Sequence, residues 1–240
     1  MKRWLRRTFT VQQLVVPALV ALSTLGIFSG SNEPVISALQ GTAFEDFAVK
    51  LHTGNSILFG LSVGILGGFF VWFLVAWIPE RRRRSVIRAN LAAHYAHFKE
   101  DTIGILLLAS IGSHDSELPR RLCNYQEFQT YFKANRDEQW NAALNGLQDS
   151  NDYMNDILVE LELLAAEVGY VLSSISIADD EVHGFFKRLS EQIYRLKSSS
   201  VFTHDKAKYL GNFLWGILAR WSFIEGQRQN DVVQDMIDRI

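Results

Sequence analysis

The chain has 240 residues, 24 Lys+Arg against 26 Asp+Glu and a net charge of −2, a size that allows one or two domains. A single cysteine, Cys123, excludes an internal disulfide framework and any zinc site built on cysteine pairs, and 48% hydrophobic with 21% charged residues excludes a disordered chain. A mean hydropathy of +0.03 is too low for membrane spans throughout and suits a membrane part joined to a soluble part.

The first ten residues carry Lys2, Arg3, Arg6 and Arg7, and Leu14 to Phe28 is then apolar apart from Ser23 and Thr24. A basic start before a short apolar core also describes a signal peptide, with Ser29 and Ser31 as small residues near a cut. The reading adopted is a retained span over about 11–28, roughly 27 Å long, anchored at the interface by Trp4, Arg6 and Arg7. Pro17 is tolerated in such a helix if neighbours satisfy the freed carbonyl. Between this segment and Asn55, Glu33, Glu45 and Asp46 face only Lys50. Phe44, Phe47, Ala48 and Leu51 fall at i, i+3, i+4 and i+7, which fits either a short surface helix or an ordinary connector.

Ser56 to Ile78 has no charged residue, and its roughly 34 Å of helix crosses a hydrocarbon core of about 30 Å. Trp72 and Trp77 lie near its end, followed by Pro79 and by Arg81, Arg82, Arg83 and Arg84, the pattern of an interface anchor and a basic topology signal. Gly60, Gly64 and Gly68 recur every four residues and form a groove for close helix packing, either against the first span or against a second copy. No ionisable residue marks an ion path in this span. Charges of +4, −2 and +4 along the N-terminus, loop and basic run place both termini in the cytoplasm.

Residues 85–240 hold 15 basic and 22 acidic side chains, a balance that argues against direct nucleic-acid binding. Leu91, Tyr95, Phe98, Thr102 and Ile105 mark a helix leading on from the membrane, and Gly112 to Pro119 reads as a loop. Tyr125, Phe128 and Phe132 mark a short aromatic-faced helix, and Trp140, Ala143, Leu144 and Leu147 another after Asn135 to Asp137. Three clearer stripes follow. They are Ile157-Leu161-Leu164-Val168-Val171-Ile175, Val182-Phe186-Leu189-Ile193-Leu196 and Leu210-Leu214-Ile217-Trp221-Ile224. Asp179 or Asp180 can cap the second of these helices, and Asp205 can support the start of the third. Val232, Met236 and Ile240 predict a last short helix that packs on the bundle or waits for a partner.

The expected fold is therefore an all-α membrane protein: a two-span anchor over 1–84, with spans at about 11–28 and 56–78, then a cytoplasmic helical bundle over 85–240 without a sheet. His94 and His97 lie at i and i+3, with Asp101 four residues after His97, but no second ligand cluster supports a metal site, and the exposed face of a helix is the reading taken. GxSxG, GxxxxGK[ST] and strand-GxGxxG signatures are all missing, so no enzyme activity, catalytic residue or cofactor is expected.

The stretch NSILFGLSVGILGGFFVWFLVAWIPERRRR and the following SVIRANLAAHYAHFKEDTIGILLL, with Ile78-Pro79-Glu80, Tyr95 and Phe98-Lys99, resembles a group of bacterial two-span proteins. Some of these are membrane effectors of anti-phage systems, including those beside retron reverse transcriptases. The resemblance covers about residues 55–108. It implies an inner-membrane toxin held silent by a partner, such as a reverse transcriptase with its nucleic acid, and released on infection. A non-toxic adaptor that recruits a partner through the bundle is the other reading.

Overall fold

The computed structural model describes residues 2–31, 50, 52–198, 206–222 and 224–240, with the backbone alone for 2–14, 135 and 136. The segment read as a surface helix or a connector (Phe44, Phe47, Ala48, Leu51), the support from Asp205, and the side chains of Trp4, Arg6 and Arg7 lie outside what is described. The chain is all-α apart from one small hairpin and divides into two compact units, Met1–Arg82 and Arg83–Ile240.

The first unit is built on α1 (Lys2–Gly30) and α2 (Ser56–Trp72). The helix runs on through a π-turn (Phe73–Trp77) into α3 (Ile78–Ile111). The widened turn has a cause in the sequence. Pro79 has no N–H to give the carbonyl four residues back and clashes with it, and the Ile78 N–H reaches back five residues to the Phe73 carbonyl instead. Asn55 starts α2 by accepting from the Ile57 and Leu58 amides at 3.0 and 3.2 Å.

α1 and α2 pack antiparallel. Ser23, Gly26, Ser29 and Gly30 are buried on α1, and Ser62 is buried on α2. A Cβ on Gly26 would run into Ser62 Oγ, and one on Gly30 would sit 2.7 Å from the Asn55 carbonyl oxygen and 2.8 Å from the Phe59 amide. The seam exists because these positions are small. Its open end is tied by the Thr53 amide donating to the Ser29 carbonyl at 2.8 Å and by a hydroxyl contact between the two side chains at 3.1 Å.

In the second unit α3 is followed by α4 (Leu118–Leu122), α5 (Tyr125–Phe132), α6 (Ala134–Asp149), α7 (Asn151–Ser174), α8 (Asp180–Ser198) and α9 (Lys206–Leu218). Gly112 ends α3 with φ +74, a value that favours glycine, and the loop predicted from Gly112 closes at Leu118. Asp137 takes φ 64 where a break was expected, an angle that aspartate tolerates better than most residues. The predicted stripe of α7 is buried along its whole length, from Ile157 to Ile175. Val182, Phe186, Leu189 and Ile193 of α8 join the same core. Asp179, not Asp180, caps α8, accepting from the Glu181 amide at 2.9 Å. The five-residue connection turns α8 back along α7, where Lys197 meets Glu162 at 2.6 Å.

Two expectations are corrected at the C-terminal end. The stripe continued through Trp221 and Ile224 stops at Leu218. Trp221–Ser222 (β1) instead pairs antiparallel with Gly226–Gln227 (β2), and Ile224 at the tip is 96% exposed. Arg220 at φ 53 and Gly226 at φ 76 turn the chain there, which no helical period reveals. The last helix, α10 (Val232–Asp238), buries Val233 and Ile237, one residue out of phase with the predicted Val232-Met236-Ile240 stripe. It packs on the bundle, with Arg239 reaching Asp179 and Glu181 at 2.6 and 2.8 Å.

Candidate functional site

The apolar surface of the first unit is the feature that most needs an explanation. Among the described residues one helix, Ser56–Ile111, is long and apolar enough to cross a membrane, and Val15–Gly30 is apolar but shorter. The core helix of a water-soluble protein would be mostly buried, yet only 6% of the apolar window in Ser56–Ile111 is. Ile57 is 81% and Val75 71% exposed. A surface this apolar marks a site of contact with membrane or protein.

The glycine ridge faces outward. A Cβ on Gly60, Gly64, Gly67 or Gly68 would meet nothing within 4 Å among the described residues. Of the two packings open to the ridge, the one against the first apolar segment is not seen among the described residues: α1 lies against the opposite face of α2, which carries Ser62, Leu66 and Phe69. Polarity explains the choice. Ser23, Ser29 and Ser62 are taken into the seam, and the glycines, with no polar side chain to hide, are left out.

At the end of the apolar stretch Phe69, Phe73 and Trp77 stack along one face, with ring centroids 6.3 and 4.8 Å apart. The Arg81 guanidinium lies 5.1 Å over the Trp77 ring, an aromatic-cation step suited to a headgroup zone. Trp72, Arg81, Arg82 and Arg83 are exposed and Arg84 is half-buried.

In the second unit one polar cluster lies inside the core. The buried Tyr95 hydroxyl donates to Asp231 Oδ1 at 2.8 Å, and Lys99 Nζ donates to Oδ2 at 3.1 Å while lying 4.5 Å over the Tyr95 ring. Asp231 also caps α10 through the Gln234 amide. Burial, then the neighbouring Asp231 carboxylate, pushes the Tyr95 phenol well above its ordinary range, so it stays a donor. Sequence reading placed Tyr95 on the core face but did not single out Asp231, whose only local signal is a capping residue before an apolar run.

His94 and His97 are exposed on α3. Among the described residues no three His, Cys, Asp or Glu side chains converge to hold a metal. Burial pushes the Cys123 thiol up, away from the thiolate a nucleophile needs.

Two of the grooves on the bundle have apolar walls. One, about 410 Å³, lies among α8, α9, the hairpin and α10, with Phe185, Leu189, Phe213 and Ile217 in its wall. The other, about 480 Å³, runs between α3 and α7, with Gly104, Ile105, Leu108 and Val159 below Glu100, Asp101, Asp156 and Glu160. Burial, then Asp101 and Asp156, raises the Glu160 carboxyl. No family model, curated protein or solved structure matches the chain, so its function has to be argued from these surfaces.

Proposed function

We propose that this chain is a bacterial inner-membrane effector of an anti-phage system, restrained through its helical bundle by a cytoplasmic protein and disrupting the membrane when released. The observation that carries the reading is the pair of helix faces on α2. One is filled by the small residues of α1, and the other, along Gly60, Gly64 and Gly68, meets none of the described residues and has the shape for a further helix. In this reading α1 and α2 both span, both termini are cytoplasmic, and copies assemble through the open glycine face. The bundle contributes binding and restraint. A reverse transcriptase with its nucleic acid is the partner suggested by the resemblance over residues 55–108, and any nucleic acid would be held by that partner.

Expression of the full chain alone, and together with its genetic neighbours, tests the reading with a membrane-potential dye. Depolarisation and growth arrest by the chain alone, suppressed by a neighbour, is the expected result. Normal potential under every trigger, with a partner still recruited to the membrane, selects the adaptor, a reading favoured by the lack of an ionisable residue in Ser56–Ile78.

A further inference from the structure

Helix α7 has two apolar faces, and among the described residues only one is covered. Ile157, Leu161, Leu164, Val168 and Val171 are in the core. Val159, Leu163, Ala166 and Tyr170 fall at i, i+4, i+7 and i+11 on another face. Val159, Leu163 and Tyr170 are 51%, 54% and 52% exposed. The stripe is about 16 Å long, three turns of helix, and at Val159 it enters the groove shared with α3. A single exposed leucine needs no explanation, but an amphipathic stripe continuous with a groove does.

The charge at the groove is acidic apart from His114, and Glu162 beside Leu163 is paired with Lys197. Asp156, Glu160 and Glu167 flank the stripe on α7, Glu100 and Asp101 stand across the groove on α3, and no Lys or Arg lines the groove. None of these five carboxylates is in an ion pair among the described residues. They do not converge on a point either, since no metal-holding group exists there. Carboxylates spread along three turns match a ligand whose positive charge is also spread along its length. Burial first, then Asp101 and Asp156, raises the Glu160 carboxyl, and a cation on the groove would offset only the contribution of the two neighbours.

We infer that the α3–α7 groove and the outer face of α7 are the docking surface for a basic, amphipathic helical segment of a protein partner. Its apolar side would lie on Val159, Leu163 and Tyr170 and its Lys or Arg side chains on Asp101, Asp156 and Glu160. This deepens the functional reading above by naming the surface at which the bundle is restrained.

The test uses the full chain in zwitterionic nanodiscs and a labelled 18-residue peptide of leucine, glutamine and lysine with leucines on one helical face. Anisotropy is read against empty nanodiscs. Saturable binding is expected. It should weaken at least about tenfold in the triple variant Asp101→Asn, Asp156→Asn, Glu160→Gln, and likewise in Leu163→Ser with Tyr170→Ser. It should persist in Glu138→Gln, Asp149→Asn, Asp180→Asn, which removes equal charge elsewhere, and a peptide with glutamate in place of lysine should not bind. Cooperative thermal melts with a Tm no lower than the parent's certify that the variants fold. No binding by the parent, or equal loss in the control triple, overturns the inference. Sedimentation showing that Leu163→Ser with Tyr170→Ser dissociates a dimer overturns it in favour of a second copy. Depolarisation by the full chain is scored separately, so loss of the groove and loss of the effector reading are told apart.

Discussion

In the N-terminal hairpin the side chains withdrawn from the surface are Ser23, Ser29 and Ser62 beside Gly26 and Gly30, whereas in the bundle they are Leu91, Phe98, Phe128, Ile157 and Leu161. The contrast follows from the surroundings each unit is suited to. In water, burying leucine and phenylalanine drives packing at about 25 cal/mol per Å². Beside lipid, leucine gains little by moving, and what brings helices together is close approach and the pairing of hydroxyls. The large apolar residues of α2 therefore face out, and the bundle's face in. Among the described residues each unit also leaves a face unfilled: the glycine ridge on α2 and the Val159-Leu163-Tyr170 stripe on α7.

The comparison breaks first if the bundle lacks a solid core. Phe128 is fully buried against Phe132, Trp140 and Trp215, with centroids 4.6, 6.2 and 5.6 Å away. Phe128→Ala is expected to cost about 3–5 kcal/mol in chemical denaturation followed by the bundle's signal. Asp231→Ala comes next. It removes the acceptor of the Tyr95 hydroxyl, the partner of Lys99 and the cap of α10, for an expected loss of about 2–4 kcal/mol. Asp231→Asn should recover the cap and the Tyr95 bond while leaving Lys99 uncompensated, and so fall between.

How much of this was legible in the sequence divides along the same line. The buried stripes of α7 and α8 were readable because the core selects one side chain in every three or four, a period that survives without coordinates. The end of α9 was not. Trp221 and Ile224 keep the period by accident, and the turn at Arg220 and Gly226 depends on backbone angles that no periodicity encodes. The Val232 stripe failed by one residue because α10 is under two turns long and its orientation is fixed by Asp231 and Arg239, not by its apolar residues. In the hairpin the glycines were visible as a ridge, but which face α1 covers was decided by Ser62, a polar residue that apolar counting passes over.

Within the hairpin, Gly26→Leu and Gly64→Leu separate the filled face from the open one. Gly26→Leu meets Ser62 and should loosen α1 from α2, lowering protease resistance of the anchor in membranes. Gly64→Leu meets nothing among the described residues and should leave the anchor intact and inserted, while function falls if, as proposed, copies approach through this face. Gly64→Ala should be milder, and Leu61→Val milder still.

The smallest effect expected is electrostatic. Glu160 in the folded bundle holds its proton more tightly than in the unfolded chain, chiefly through burial and then through Asp101 and Asp156. Its charge therefore destabilises the fold above its raised pKa, and the cost disappears as pH falls below the ordinary glutamate value. Glu160→Gln should raise the Tm at pH 7–8 and leave it unchanged near pH 4. A Tm gain that persists at pH 4 would mean the effect is not electrostatic.

Cysteine crosslinking in membranes, with Cys123→Ser as background, tests most directly the proposal that α2 has one face closed within the chain and one open to its copies. Gly64→Cys is predicted to give chain-to-chain disulfides, and Gly26→Cys with Ser62→Cys only bonds within one chain. Crosslinks between copies at Ser62→Cys alone, with none at Gly64→Cys, would contradict the account.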